Sequence, residues 1–430
     1  MGHSLFIDRI DIVIRFLLYV LIFWLPYSPA VIESCVIVCF LLWLVKRALI
    51  FIRSESAAHT LRGKIFEFLK AVKPESTFLN KPIGIFFFVC ALSVTSSAFW
   101  QQSLHNFITK TLEWFVVYFL VVETFKEKRH VYTAAGIFLF TAFSTAVDSL
   151  IQFHITNRDI FLGNVIEPAS RATAGFKTSN SLGGYLSLCI PFLFAWVFLG
   201  CQKISYRMGG LLLLFVFIWS FVITFSRAAW IGAFFGIVFL LTFISSVLKK
   251  SNYFSFKFFW AIAISGVLVV FLMPDRFGQM LVDRPKTVGW RWDIWQISLM
   301  LIKDKMFFGH GINTFMKVFQ AYRGNNMMEP TYAHNCYLQM AAEAGLVGLF
   351  CFMWIIIKLF QQAGSRIKTY WTQDVNLAAV AVGLLSGILA FLVHSFFDTN
   401  FYSLQLSVYL WLMIGILVAV CQISDNTINA

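Results

Sequence analysis

An all-α polytopic membrane protein with about twelve transmembrane helices is the fold class this chain predicts, on three observations. The composition is 59% hydrophobic, 18% aromatic and only 13% charged over 430 residues, far from the balance of a water-soluble domain. Apolar runs recur along the whole chain, most of them near the roughly 20 residues a helix needs to cross a bilayer. The cationic residues, finally, are sorted by connection.

The runs fall at 13–25, 31–52, 82–99, 107–122, 131–153, 181–200, 209–225, 228–248, 258–273, 336–357, 376–392 and 403–421. No small-residue cleavage site follows the first, and Pro26-Tyr27-Ser28-Pro29 reads as a turn, so a retained helix is expected there and not a signal peptide. The net charge of +13 could point to nucleic acid, but its distribution points to a membrane. Lys46, Arg47, Arg53, Arg62, Lys64, Lys70, Lys73 and Lys81 share one connection, and Lys126, Lys128 and Arg129 another. Lys203 with Arg207, Lys249 with Lys250 and Lys257, and Lys358 with Arg366 and Lys368 occupy three more, alternating with connections almost free of positive charge. By the positive-inside rule the basic connections and both the N- and C-termini are cytoplasmic, and no nucleic-acid partner is expected. Residues 61–72, alternating basic and apolar, read as a helix lying on the inner leaflet. The eight cysteines lie mostly within apolar runs, as small apolar groups and not as a disulfide framework.

The exceptions to the charge pattern are the candidate functional residues. Arg158, Arg171, Lys177 and Arg227 fall on the external side, as does the long connection between spans nine and ten. That connection, residues 274–335, holds two helical patterns: Trp292, Trp295, Leu299, Ile302 and Met306 on one face, then Phe315, Val318, Phe319 and Tyr322, with Asn313 or Thr314 as N-cap. Residues 1–430 thus read as a single integral membrane domain, with 274–335 an amphipathic lid over its outer end.

Arg227 in Thr-Phe-Ser-Arg-Ala-Ala-Trp and Arg291 in Gly-Trp-Arg-Trp are costly at a membrane edge unless something anionic compensates them, although either alone also suits an interfacial arginine that snorkels or stacks. A guanidinium is planar, permanently charged and bidentate, which suits phosphate. Arg171 stands in a polar re-entrant stretch with Gly175 and Asn180. His334 is read as the start of a helix on which Asn335, Gln339 and Glu343 form one polar stripe, and an imidazole there has the pKa range of a general base. Glu343 suits a helix–helix contact equally well. Asp-x-Asp, Gly-rich phosphate and His-Glu-x-x-His motifs are missing, so metal-free chemistry without a cofactor is the default. His154, His310, His394 and Asp398 are too irregularly spaced to be expected as metal ligands beside His334.

Four blocks, taken together, resemble the O-antigen ligase and polymerase superfamily of bacterial envelope proteins. They are Arg171-Ala-Thr-Ala-Gly175 with Asn180, Thr224 to Trp230, Arg291 to Trp295 leading to Phe308-Gly309-His310-Gly311, and Ala333 to Leu338 leading to Glu343-Ala344-Gly345 and Gly348. The resemblance implies a multi-pass inner-membrane glycosyltransferase with its site facing the periplasm. It would transfer a glycan from an undecaprenyl-diphosphate donor, in a ligase to a sugar hydroxyl of lipid A core. Carried over by motif, Arg227 and Arg291 bind the diphosphate, Arg171 assists and His334 is the catalytic base. Asn335 and Glu343 support them, and Asp398 resembles an acidic position seen in ligases. A polymerase of lipid-linked repeat units shares this donor, and a transporter or flippase for a lipid-linked glycan is the alternative from another class.

Overall fold

The structure is a computed structural model describing residues 2–55, 61–166, 171–248, 284–323, 329 and 331–428. Fifteen α-helices are named among these residues: α1 Gly2–Trp24, α2 Pro29–Glu55, α3 Leu61–Val72, α4 Asn80–Thr95, α5 Trp100–Asn106, α6 Leu112–Thr124, α7 Lys128–Ile151, α8 Ser179–Ala195, α9 Ile204–Val222, α10 Arg227–Leu248, α11 Arg284–Asp304, α12 Phe315–Tyr322, α13 Cys336–Gln373, α14 Val375–His394 and α15 Leu404–Ile428. Eight helical segments are long and apolar enough to cross a membrane, those of α2, α7, α8, α9, α10, α13, α14 and α15. The apolar runs at 13–25, 82–99 and 107–122 also fold as helices, in α1, α4 and the segment that runs from α5 through a π-turn at Phe107–Thr111 into α6. The run at 258–273 lies outside the described residues.

Burial orders these helices. α8, α14 and α15 are almost wholly enclosed, while α2 and α9 expose most of their apolar surface, as helices facing lipid must. Lipid offers no hydrophobic gain between apolar helices, so close approach has to come from small side chains. At Gly232 of α10 an added Cβ would collide with the Ala390 carbonyl oxygen and stand 3.2 Å from the His394 Cβ. α10 therefore lies backbone to backbone on α14, and α8 packs against both. At one end of the bundle Glu123 of α6 accepts from Lys46 at 2.7 Å and from Trp43 at 2.9 Å, and pairs with Arg47, while Lys46 also reaches Asp11 at 2.6 Å. This ties α1, α2 and α6 together by their buried charges.

The opposite end carries the site and is made of interrupted helices. α13 breaks at Gly345, whose φ of 74° and ψ of 173° lie in a region that side-chain-bearing residues avoid. The backbone groups freed by the break are taken up by residues 306–311. Leu346 N donates to Met306 O at 2.8 Å, His310 N to Ala342 O at 2.9 Å and Gly311 N to Glu343 O at 2.9 Å. Ser93 of α4 adds a hydroxyl bond of 2.6 Å to Glu343 O. This seam explains why Gly309-His-Gly311 and Glu343-Ala-Gly345 occur in one sequence: each pairs the backbone groups that the other leaves over.

The seam gives a direct test. Gly345→Ala drives a Cβ into the Phe307 carbonyl at a positive φ, so it should cost at least about 2 kcal/mol and lower the thermal midpoint of the detergent-solubilised protein. Gly136→Ala, in α7 with nothing within 4 Å, should leave the midpoint unchanged or raise it slightly.

Candidate active site

Three loops and one helix bring the expected residues together. Residues 395–401, between α14 and α15, dock on the start of α13: Cys336 N donates to Ser395 O at 2.9 Å, the Cys336 thiol to Asp398 O at 3.1 Å, and the Tyr337 hydroxyl to Leu392 O at 2.8 Å. This sets Asp398 beside His334, with His334 Nδ1 at 3.7 Å from Asp398 Oδ1. α11 is fixed against the same segment by Trp295, whose indole N–H donates to Ala333 O at 3.0 Å. Just upstream on α11, the Trp290 ring centroid lies 5.0 Å from that of His334. Arg291, next to Trp290, lies within electrostatic reach of Asp398 and of Arg227.

His334 is not the first residue of the helix. Asn335 is the N-cap of α13, its side-chain oxygen accepting from Tyr337 N and Leu338 N, both at 3.0 Å, and the helix begins at Cys336. His334 stands outside at a φ of 48°, which turns its side chain away from the polar stripe and toward Asp398. The stripe ends on a different partner: Gln339 Nε2 donates to Glu343 Oε1 at 3.2 Å, and Glu343 accepts from Asn313 N at 2.7 Å and Phe315 N at 3.1 Å. Thr314 is the N-cap of α12 by position, but the carboxylate of Glu343 satisfies the helix's free amides, a favourable place for negative charge. Glu343 thus holds α12 to α13 and stands apart from the His334 contacts.

The arginines enter from the helix junctions. The turn Thr224-Phe225-Ser226 joins α9 to α10, with Phe225 at a φ of 48° and Arg227 opening α10. Arg171 secures this turn, Nε donating to Thr224 O at 3.0 Å and an Nη to Asn180 Oδ1 at 2.9 Å, while Ala172 N donates to Ile223 O at 3.1 Å. Arg227 is exposed and Arg291 half-buried, and neither hydrogen-bonds or ion-pairs with a described residue. Burial pushes the Arg291 guanidinium down from its usual range, Asp398 opposes that and Arg227 adds to it. Burial alone would raise the Asp398 carboxyl. The His334 and His394 imidazoles and the Thr399 amide outweigh it and hold Asp398 down to about 2, ionised at any pH at which the protein would work.

Of the sequence candidates, His334, Asp398, Arg291 and Arg227 form one electrostatic group, with Arg171 behind the Arg227 turn and Asn335 beneath His334. His154 and His310 belong elsewhere, one bonded to the Trp219 indole at 3.1 Å and the other 3.0 Å from Leu301 O. Sequence reasoning gives Trp290 no role beside His334, and weighs His394 only as a metal ligand. The signal for His394 is its spacing, four residues before Asp398 across the end of α14.

Residues 211–353 match the family model described as O-Antigen ligase. No curated protein matches the chain significantly. The matched region contains Arg227, Arg291, His334, Asn335 and Glu343, while Arg171 and Asp398 lie outside it on either side.

Removing the Glu343 carboxylate leaves the Asn313 and Phe315 amides without their acceptor. Glu343→Ala should raise amide hydrogen exchange at residues 313–319 by about 10- to 100-fold, corresponding to roughly 1–3 kcal/mol of local stability, with little change in α8 or α14.

Proposed function

The chain belongs to the O-antigen ligase superfamily through residues 211–353, and from that premise we propose that it is an O-antigen ligase. Family and fold make it a multi-pass membrane protein of the ligase- or polymerase-type glycosyltransferases in lipopolysaccharide biosynthesis. In our reading the donor is an undecaprenyl-diphosphate-linked glycan and the acceptor a sugar hydroxyl of lipid A core. The site faces the periplasm from a bundle of about twelve spans in the inner membrane, under a lid that includes α11 and α12.

The observation that carries the reading is the pair Arg227 and Arg291, mutually repelling and without a described acid in contact, beside a histidine–aspartate pair. A diphosphate relieves that repulsion, and its charge grows as it leaves. With Nδ1 facing the ionised Asp398, His334 carries its proton there and leaves Nε2 as acceptor. Nε2 takes the proton of the acceptor hydroxyl as its oxygen bonds to the anomeric carbon. The bond from that carbon to the diphosphate oxygen breaks, and the electron pair leaves with undecaprenyl diphosphate between Arg227 and Arg291. Asp398 stabilises the imidazolium that remains. Arg171 acts by holding the Thr224 turn that aims Arg227. General-base help is worth about 10²–10⁴ in rate, and arginine charge at a departing phosphate about 10³–10⁵.

The polymerase reading uses the same donor site and differs in acceptor. The transport reading is the weaker one, because the polar set gathers at one end of the bundle and not at its midplane.

In the native host, deletion of the gene should leave bare lipid A core on a lipopolysaccharide gel and accumulate long lipid-linked polymer. Core carrying a single repeat would mean a polymerase, and an unchanged ladder would overturn both. In the complemented strain His334→Ala, Arg227→Ala and Arg291→Ala should each reduce transfer by at least about 100-fold at normal protein level. Arg291→Lys should not restore it, since a lysine lacks the bidentate fork.

A further inference from the structure

The His334–Asp398 pair has a third member. His394, at the end of α14, is fully buried, and its Nε2 lies 3.8 Å from Asp398 Oδ2, the carboxylate oxygen other than the one paired with His334. Its proton can be assigned by following the hydrogen bonds. The Ser395 hydroxyl donates to Phe391 O at 2.7 Å, so its oxygen accepts from Asn400 Nδ2 at 3.0 Å. That orients the Asn400 amide with the same Nδ2 3.1 Å from His394 Nδ1, which is then the acceptor. The proton of the neutral ring therefore sits on Nε2, directed at Asp398. His394 Nε2, Asp398 Oδ2 and His334 Nδ1 are all buried without a hydrogen-bond partner, an arrangement that costs stability wherever it is merely structural. The space for the ring is tight: a Cβ on Gly184 would lie 2.9 Å from His394 Nδ1.

We propose that His394 is a positioning residue of the transfer site, its Nε2–H holding the Asp398 carboxylate so that Oδ1 faces His334 Nδ1 and keeps the proton there. The proposal rests on His334 being the base. Asp398 then stands between two imidazoles, with Arg291 and, beyond it, Arg227 as the charged groups facing it and the Cys336 thiol bonded to its backbone carbonyl. The gaps of 3.7 and 3.8 Å exceed hydrogen-bond length, as catalytic contacts often do before substrate closes the site.

The test is initial transfer rates of purified protein in proteoliposomes, with lipid-linked glycan as donor and core lipopolysaccharide as acceptor, across pH 5 to 9. His394→Leu should lower kcat about 10- to 100-fold, as expected for a positioning contact, with the donor KM within about twofold. Its acid limb should move to higher pH, because a carboxylate with one donor removed attracts the proton of its remaining imidazole partner more strongly. His394→Gln, which places an amide N–H near the position of Nε2, should restore most of that loss. Asn400→Leu, which frees Nδ1, should act in the same direction and more weakly, and serves if His394→Leu fails to fold. A His394→Leu enzyme with the wild-type rate and pH profile overturns the proposal, as does a His394→Gln enzyme as slow as His334→Ala, which would make His394 itself the base. Full activity of His334→Ala overturns the underlying reading instead, and is distinguishable because transfer then does not depend on the imidazole whose partner His394 is proposed to hold.

Discussion

A backbone amide or carbonyl released inside a bilayer must find its partner within the protein, since lipid supplies none, and this constraint organises the functional end of the molecule. Wherever a spanning helix is interrupted there, another segment answers. The break at Gly345 is filled by residues 306–311, the free amides of α12 by Glu343, and the Thr224 turn by Arg171. Each answering segment also carries a residue of the candidate site or anchors one that does. Arg171, by securing the turn before Arg227, links this backbone repair to the candidate site.

The division of labour among the acidic residues follows from this. Glu343 and Asp398 are both buried and both lie near His334 in sequence or in space, yet they do different work. Glu343 accepts two backbone amides and a glutamine, which uses its acceptor capacity on structure. Among the described residues Asp398 accepts from Thr399 alone, the amide at 2.8 Å and the hydroxyl at 3.4 Å, both on Oδ1, and keeps its remaining capacity facing two imidazoles and Arg291. A carboxylate with free acceptor sites beside titratable rings is what the proposed proton transfer requires.

The charge arrangement carries the same logic at longer range. At one end of the bundle, buried cations are matched: Lys46 and Arg47 share Glu123, and Lys46 also has Asp11. At the site end Arg227 and Arg291 repel each other, with Asp398 as the nearby counter-charge and no contact pair. The molecule thus commits structural acids to the first set of cations, and in our proposal the second set is met by a ligand of opposite charge.

The sequence by itself determined the membrane-spanning class, the positions of nearly all helices, and the candidate residues Arg227, Arg291 and His334, because hydropathy and charge are local properties written along the chain. It also marked α3, α11 and α12, whose periodicity needs no partner to be visible. Only the tertiary structure decided that Glu343 serves α12, that His334 stands outside its helix, and that Asp398 and His394 meet it. Those facts depend on the 395–401 loop docking on the start of α13 and on α10 lying against α14, contacts between residues far apart in sequence. His334 and Asp398 are separated by all of α13 and α14. Their adjacency arises because the start of α13 and the end of α14 lie at the same face of the bundle, which is a consequence of packing and not of spacing.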